Sequence, residues 1–199
     1  MYPIDVTAER GDGSRSRGLA ALGIIFLKML ALVPHLLVLW VLAVVVEVVA
    51  WFGYWVVAFT GELPDFFFVF PERVLAWQVR VNGWLASLTD PYPPFEWEPA
   101  GYGVDLATQA GPGPRSRGLA VLGVIFIKPL ALLPHLVVLA FVALAAVVTT
   151  WIAYWVILFT GTYPAGMFDF VTGTLRWSTR LSAWLFTLTD QYPPFSLKS

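Results

Sequence analysis

The chain has 199 residues, 58% hydrophobic and only 13% charged, with a mean hydropathy of +0.74. Soluble domains carry about 25% charged residues, so an ordinary soluble domain is excluded, and a net charge of −1 excludes the basic footprint of a nucleic-acid binder. Without cysteine there is no disulfide, thiolate nucleophile, iron–sulfur cluster or cysteine-based zinc site.

The first 17 residues are polar and lack the apolar core of a cleavable signal. Within them YPIDV alternates apolar and polar residues, the pattern of a short strand, and GDGSRSRG reads as a loop. Leu19–Val33 follows, about 15 residues interrupted by Lys28. That is short for a bilayer crossing and predicts an interfacial helix whose lysine snorkels to the surface. Pro34 and His35 open a second helix reaching Phe59, about 25 residues, enough to span with some tilt. Trp51, Tyr54 and Trp55 near its end resemble an aromatic belt, and Gly61 and Pro64 stop it. A third helix is predicted over Phe66–Leu88, followed by the tail LTDPYPPF.

All of this then recurs. Residues 2–95 align without a gap on 102–195, and 47 of the 94 positions are identical. The chain is a tandem duplication with repeats at 1–100 and 101–199. The second copy repeats the Lys128-bearing segment, the Pro134-His135 helix to Phe159 and a third helix over Met167–Leu188. Both copies open with Arg-Ser-Arg, and basic residues beside a span mark the cytoplasmic side. The 61–66 turn holds only acidic charges and the 161–166 turn none. The expectation is an all-α integral membrane protein of two helical hairpins, with four crossings, short interfacial helices and small N-terminal strands. Both termini and the joint between repeats would be cytoplasmic, the 61–66 and 161–166 turns external, and the repeats parallel about the membrane normal. Arg80 and Arg180 fall in the middle of the third helices, where a charge at bilayer depth is costly. The polar face of that helix also suits an interfacial position.

No Walker, Rossmann, GxSxG or HExxH pattern is present, so neither an enzyme nor a cofactor is expected. Several residues stand out nonetheless. His35 and His135 are equivalent under the repeat; they are structural, or as a distant alternative they ligate a haem between the units. Trp77, Arg80 and Trp84, with Trp177, Arg180 and Trp184, follow i, i+3, i+7 spacing and form a stripe that anchors at the interface or grips a lipid phosphate. Glu47, opposite Val147 in the other copy, is a carboxylate in a span, with Lys28, Arg73 or Arg80 as candidate partners. Asp90 and Asp190 end the third helices on the side inferred for Arg17 and Arg117, where an ion pair would clamp exit to lead-in loop. Alternatively, the YPPF segments dock a partner as polyproline II.

The second copy contains Pro134, His135, Phe159, Thr160, Gly161, Tyr163, Pro164, Phe168, Asp169, Phe170, Arg176, Trp177, Arg180 and Thr189 to Leu197. With these residues the chain resembles a bacterial family of small membrane proteins, domain of unknown function 4389, twice in tandem. The first copy departs from the pattern at Asp65, Phe66, Val69, Pro71 and Ala76. The resemblance implies a bacterial plasma-membrane protein and supplies no activity. The expected function is a non-catalytic accessory, assembly or scaffold subunit of a membrane complex. The alternatives are a small carrier or lipid-handling protein using Glu47 and the buried basic residues, and, last, a bis-histidine haem protein. The expected partners are the lipid bilayer and other membrane-protein subunits, and no nucleic acid.

Overall fold

The computed structural model describes residues 2–198. The first repeat forms β1 (Ile4–Ala8), α1 (Arg17–Ile24), α2 (Leu27–Ala31), α3 (Val33–Thr60), β2 (Glu62–Leu63) and α4 (Asp65–Leu85). The second forms β3 (Val104–Thr108), β4 (Gly113–Pro114), α5 (Arg117–Val124), a 3-10 turn (Lys128–Leu132), α6 (Leu133–Thr160) and α7 (Ala165–Leu185). Ser16 and Ser116 cap α1 and α5, their side chains accepting from the amides of Leu19 and Leu119. The lysine-bearing stretch is two pieces rather than one helix, because Phe26 (φ 62°) and Phe126 (φ 59°) turn the chain through the left-handed region. In the second copy Pro129 removes a backbone donor, and the piece after this break is a 3-10 turn. Helices α3 and α6 end where Gly61 (φ 81°) and Gly161 (φ 78°) take the left-handed conformation that favours glycine.

Helices α4 and α7 pack antiparallel at the centre. Phe68 and Leu75 of α4 share a cluster with Ala183 and Leu188, while Val79 and Leu88 meet Phe168 and Val171. Helix α3 runs antiparallel along α4: His35 near its start bonds Trp77, and Gly53 further along lies against Phe67. Leu32, Leu39 and Val46 pack there against Val74, Trp77, Val81 and Trp84. Helix α6 is placed alike on α7, through Leu132, Trp177, Leu181 and Trp184. The predicted strands form, and they pair with each other: β1 runs antiparallel to β3 with Val6 opposite Leu106. Those two residues are repeat equivalents, so the axis relating the repeats passes between them. Arg80 bonds Asp105 at 2.9 Å, and Arg176 and Arg180 hold Asp5, fixing this ribbon across the α4–α7 pair. Gly83 lets it sit close, since a Cβ there would lie 2.7 Å from Val104 Cγ1.

The repeats are interlocked. Helix α1 packs on α6, and Gly23 makes room for the ring of Tyr154; α5 packs on α3, and Gly123 does the same for Tyr54. Strand β2 pairs β4, the Arg115 amide donates to Gly61 O at 2.9 Å, and the Arg15 amide donates to Gly161 O at 2.9 Å.

These bonds overturn the topology expected from the arginines. The turns at 61–66 and 161–166, expected outside the membrane, are hydrogen-bonded to the very loops expected inside it. The arginines serve a local need instead: Arg117 donates to Thr60 O at 2.9 Å, satisfying a carbonyl at the end of α3. Four crossings are therefore not supported. Two helices, Val33–Thr60 and Lys128–Thr160, are long and apolar enough to cross a membrane.

The contact between repeats is testable at Gly23, where an added Cβ would lie 2.6 Å from the Tyr154 ring. Gly23→Ala should destabilise the protein by about 1–3 kcal/mol, the usual cost of overpacking. Thermal unfolding in mild detergent measures it. Combined with Tyr154→Leu the loss should be less than additive, because both changes act on one contact.

Candidate functional site

The carboxyl ends of α4 and α7 gather Trp84, Trp184, Asp90 and Asp190, together with the lysines that interrupt the preceding segments. Each helix closes through a left-handed residue that is not glycine, Ser87 (φ 56°) or Thr187 (φ 63°). The Leu88 amide then donates to Gly83 O at 2.9 Å and the Leu188 amide to Ala183 O at 3.0 Å, the bonding of a Schellman end. The remaining carbonyls are met by cations and phenols. Arg15 donates to Ser87 O (3.0 Å) and Leu88 O (2.7 Å), and Tyr154, from the other repeat, donates to Leu85 O. Lys28 donates to Trp84 O, Leu85 O and Ser87 Oγ. At α7, Arg115 meets Thr187 O and Leu188 O at 3.0 Å, Tyr54 meets Leu185 O, and Lys128 reaches only Thr187 Oγ1 at 3.5 Å. A cation is favoured here by the negative end of the helix dipole.

Lys28 does not snorkel. It is 1% exposed, lies 4.4 Å above the Trp84 ring, and spends all three N–H donors inside the protein. Burial pushes its ammonium down to about 7, against the opposing pull of the Asp90 charge.

The doubled tail wraps this end. Asp90 Oδ2 accepts from the Ser16 amide at 2.8 Å and Asp190 Oδ2 from the Ser116 amide at 2.6 Å. The clamp between exit and lead-in loop exists, but its donor is a backbone amide and not the guanidinium of Arg17 or Arg117. Those arginines point to the other repeat, Arg117 to Thr60 O and Arg17 against Gly161. Trp84 and Trp184 donate to the carbonyls of Asp90 and Asp190, and Tyr92 and Tyr192 to Ala31 O and Ala131 O. The YPPF segments thus pack on their own chain, with Phe95 stacked on His35 at 3.8 Å and Phe195 on His135 at 3.6 Å.

Other expectations change with the geometry. His35 and His135 occupy separate aromatic boxes, one per repeat. Each accepts at Nδ1 from an indole (Trp77 or Trp177, both 3.0 Å) and has one face covered by phenylalanine, so they do not face each other across a haem. Trp77, Arg80 and Trp84, like Trp177, Arg180 and Trp184, are buried rather than presented at the surface, and the arginines hold the ribbon and tail carbonyls. Glu47 is exposed on α3, and its three candidate partners are engaged elsewhere: Lys28 with helix-end groups, Arg73 with Glu98 and Arg80 with Asp105.

A groove of about 440 Å³ opens beside the α4 end, between the repeats. Phe26, Met29, Val147 and Trp151 form its exposed apolar rim. Asn82, Thr150, Thr174 and Ser178 supply its polar groups. At 100° per residue, Asn82 and Leu85 lie on the face of α4 opposite Arg80 and Gly83, so the groove and the ribbon are on opposite faces. The sequence did not reveal the groove, because its walls come from both repeats. The available signal was the identity of Gly23 with Gly123 and of Tyr54 with Tyr154.

Two measurements probe this end of the molecule. The folded Lys28 holds its proton less tightly than the unfolded lysine, whose ordinary value is 10.5. The unfolded chain therefore binds more protons between about pH 7 and 10.5, and stability should rise with pH across that window. Melting temperatures in detergent should show this slope, and Lys28→Met should about halve it, because burial pushes Lys128 down to about 7 as well. Separately, Trp177→Phe strands the buried Nδ1 of His135 and should cost about 1–3 kcal/mol by the same measurement.

The family described as Domain of unknown function (DUF4389) matches residues 24–96 and again 124–196. No curated protein and no solved structure matches the chain. The two matches span most of the sequence and fall at the same register in each repeat, so the chain belongs to the DUF4389 family and carries its domain twice.

Proposed function

We propose that this is a non-catalytic membrane protein that handles lipid, holding one lipid chain in the groove between its repeats. The observation that carries the reading is the groove itself. Its volume, about 440 Å³, falls within the range of about 300–1,000 Å³ common for ligand sites, and its rim is continuous with exposed apolar surface. That surface is extensive: Trp40 is 71% exposed and Phe141 72%, and they stand among exposed leucines and valines along α3 and α6. Apolar surface on this scale marks a membrane or partner.

The groove also favours one kind of head group. Lys28 lines it, but all of its hydrogens are engaged. A phosphate or carboxylate would find no free cation there. The Asn82 amide is on offer instead, and the Ser178 hydroxyl, whose proton goes to Leu175 O, can accept. A neutral, hydroxyl-bearing lipid suits them. The accessory-subunit reading draws on the same exposed helices, since a partner's helices would cover them equally well.

Purification in mild detergent with mass spectrometry of lipids and proteins separates the two. The lipid-handling reading expects a stoichiometric neutral lipid, lost in Ala143→Trp, a change that fills the groove, while thermal unfolding stays close to wild type. A stoichiometric protein partner without bound lipid would instead establish the accessory role.

A further inference from the structure

We infer that the protein sits in a single leaflet, with α3 and α6 lying along the membrane rather than across it. This goes beyond the lipid-handling reading and does not depend on it. Three observations carry it.

The first is the ribbon. It crosses the middle of α4 and α7, held by Arg80, Arg176 and Arg180. Thr7 and Thr108 are exposed on it, and the carboxylates of Asp5 and Asp105 remain partly exposed beside them. A carboxylate facing hydrocarbon is costly. The middle of α4 and α7 therefore lies at the polar boundary, which excludes both helices from crossing.

The second is the tail. It starts at Asp90, bonded to Trp84 near the end of α4, and returns along the helix to Trp97 beside Phe70 and Glu98 on Arg73. Glu96 and Glu98 are exposed along this path. Were α4 upright, the tail would carry both carboxylates through the depth of the bilayer, at several kcal/mol each.

The third is how α3 is tied down. It runs along α4, and both its ends join the polar layer. At the start, His35 stacks on Phe95, next to the Glu96 and Trp97 carbonyls that Arg80 holds. At the end, Gly61 O accepts from the Arg115 amide and Glu62 pairs with Pro114. The short helices on the groove face complete the arrangement, exposing Ile25, Phe26, Leu30, Ile125, Phe126 and Leu130 away from the ribbon. One apolar face and its flanks enter the leaflet while the ribbon and tails stay in the headgroups, as for interfacial helices.

The chain has no cysteine, so single reporters are clean. Glu62→Cys, Thr162→Cys, Glu98→Cys and Thr108→Cys would each be treated with impermeant maleimide in intact and in permeabilised cells. All four should behave alike, labelled together in one condition or lost together in it. Labelling of 62 and 162 from opposite sides, or of 62 from the side opposite 98, would overturn the inference. The unmodified protein supplies a second measurement. It should settle on oil droplets coated with a phospholipid monolayer, and exclusion from the droplets with retention in bilayer vesicles would equally overturn the single-leaflet seat. A protein that passes both tests but binds no lipid defeats only the lipid-handling reading.

Discussion

A helix that ends away from water must find donors for its last carbonyls, and the rest of this structure follows from how that demand is met at α4 and α7. Each orphan carbonyl costs free energy comparable to a lost hydrogen bond. Arg15, Lys28 and Tyr154 answer it at α4, and they arrive from three places: the lead-in loop, the short helix α2 and the long helix of the other repeat. Satisfying one helix end thereby fixes the position of three elements. Asp90 adds a fourth by holding the Ser16 amide at the start of α1. Separating the repeats would withdraw Tyr154 from Leu85 O and Tyr54 from Leu185 O, so the junction links the repeats as well as forming the local cap.

What could be read directly from residues was whatever had a local cause. The duplication is visible because equivalents stand 100 positions apart; the long helices are visible from their apolar length and their glycine stops; even the short strands show in the alternation of YPIDV. Partnerships at long range had no such signature. Arg80 and Arg180 were legible as buried charges, but nothing near them in the chain indicates that Asp105 and Asp5 lie across the repeat boundary. The arginines of the lead-in loops misled for a physical reason: a cation that caps a carbonyl and one that marks a membrane face look alike in sequence. The Asp90 clamp was off by one residue, resting on the Ser16 amide beside Arg17. Lys28 was read as reaching outward, because the carbonyls that draw it inward belong to a helix 56 residues away.

Symmetry in the backbone frames a difference in chemistry. Thr150, Thr174 and Ser178 line the groove, where the first repeat has Ala50, Val74 and Gln78; Val147 stands at its rim, where the first repeat has Glu47. Lys28 makes three hydrogen bonds and Lys128 one. The residues that build the scaffold — His, the indole that bonds it, the phenylalanine that covers it and the aspartate of the tail — are the same in both copies. Divergence includes the groove, where a ligand would discriminate, and spares the histidine boxes and the tail clamps.

The pairing of Val6 with Leu106 across the axis has a consequence for ancestry. The central cross-repeat contacts are reciprocal: Gly23 meets Tyr154 as Gly123 meets Tyr54, and Gly61 meets Arg115 as Gly161 meets Arg15, whereas the Arg176–Asp5 pair has Ala76 at its counterpart. Such an isologous interface is what two identical subunits form around a twofold axis. Two copies of a single domain would hold both halves of each reciprocal contact and could close on each other as a homodimer. Fusing two copies added no new surface. It raised the effective concentration of one half around the other, and it freed each half to change on its own, which a homodimer encoded by one gene cannot do.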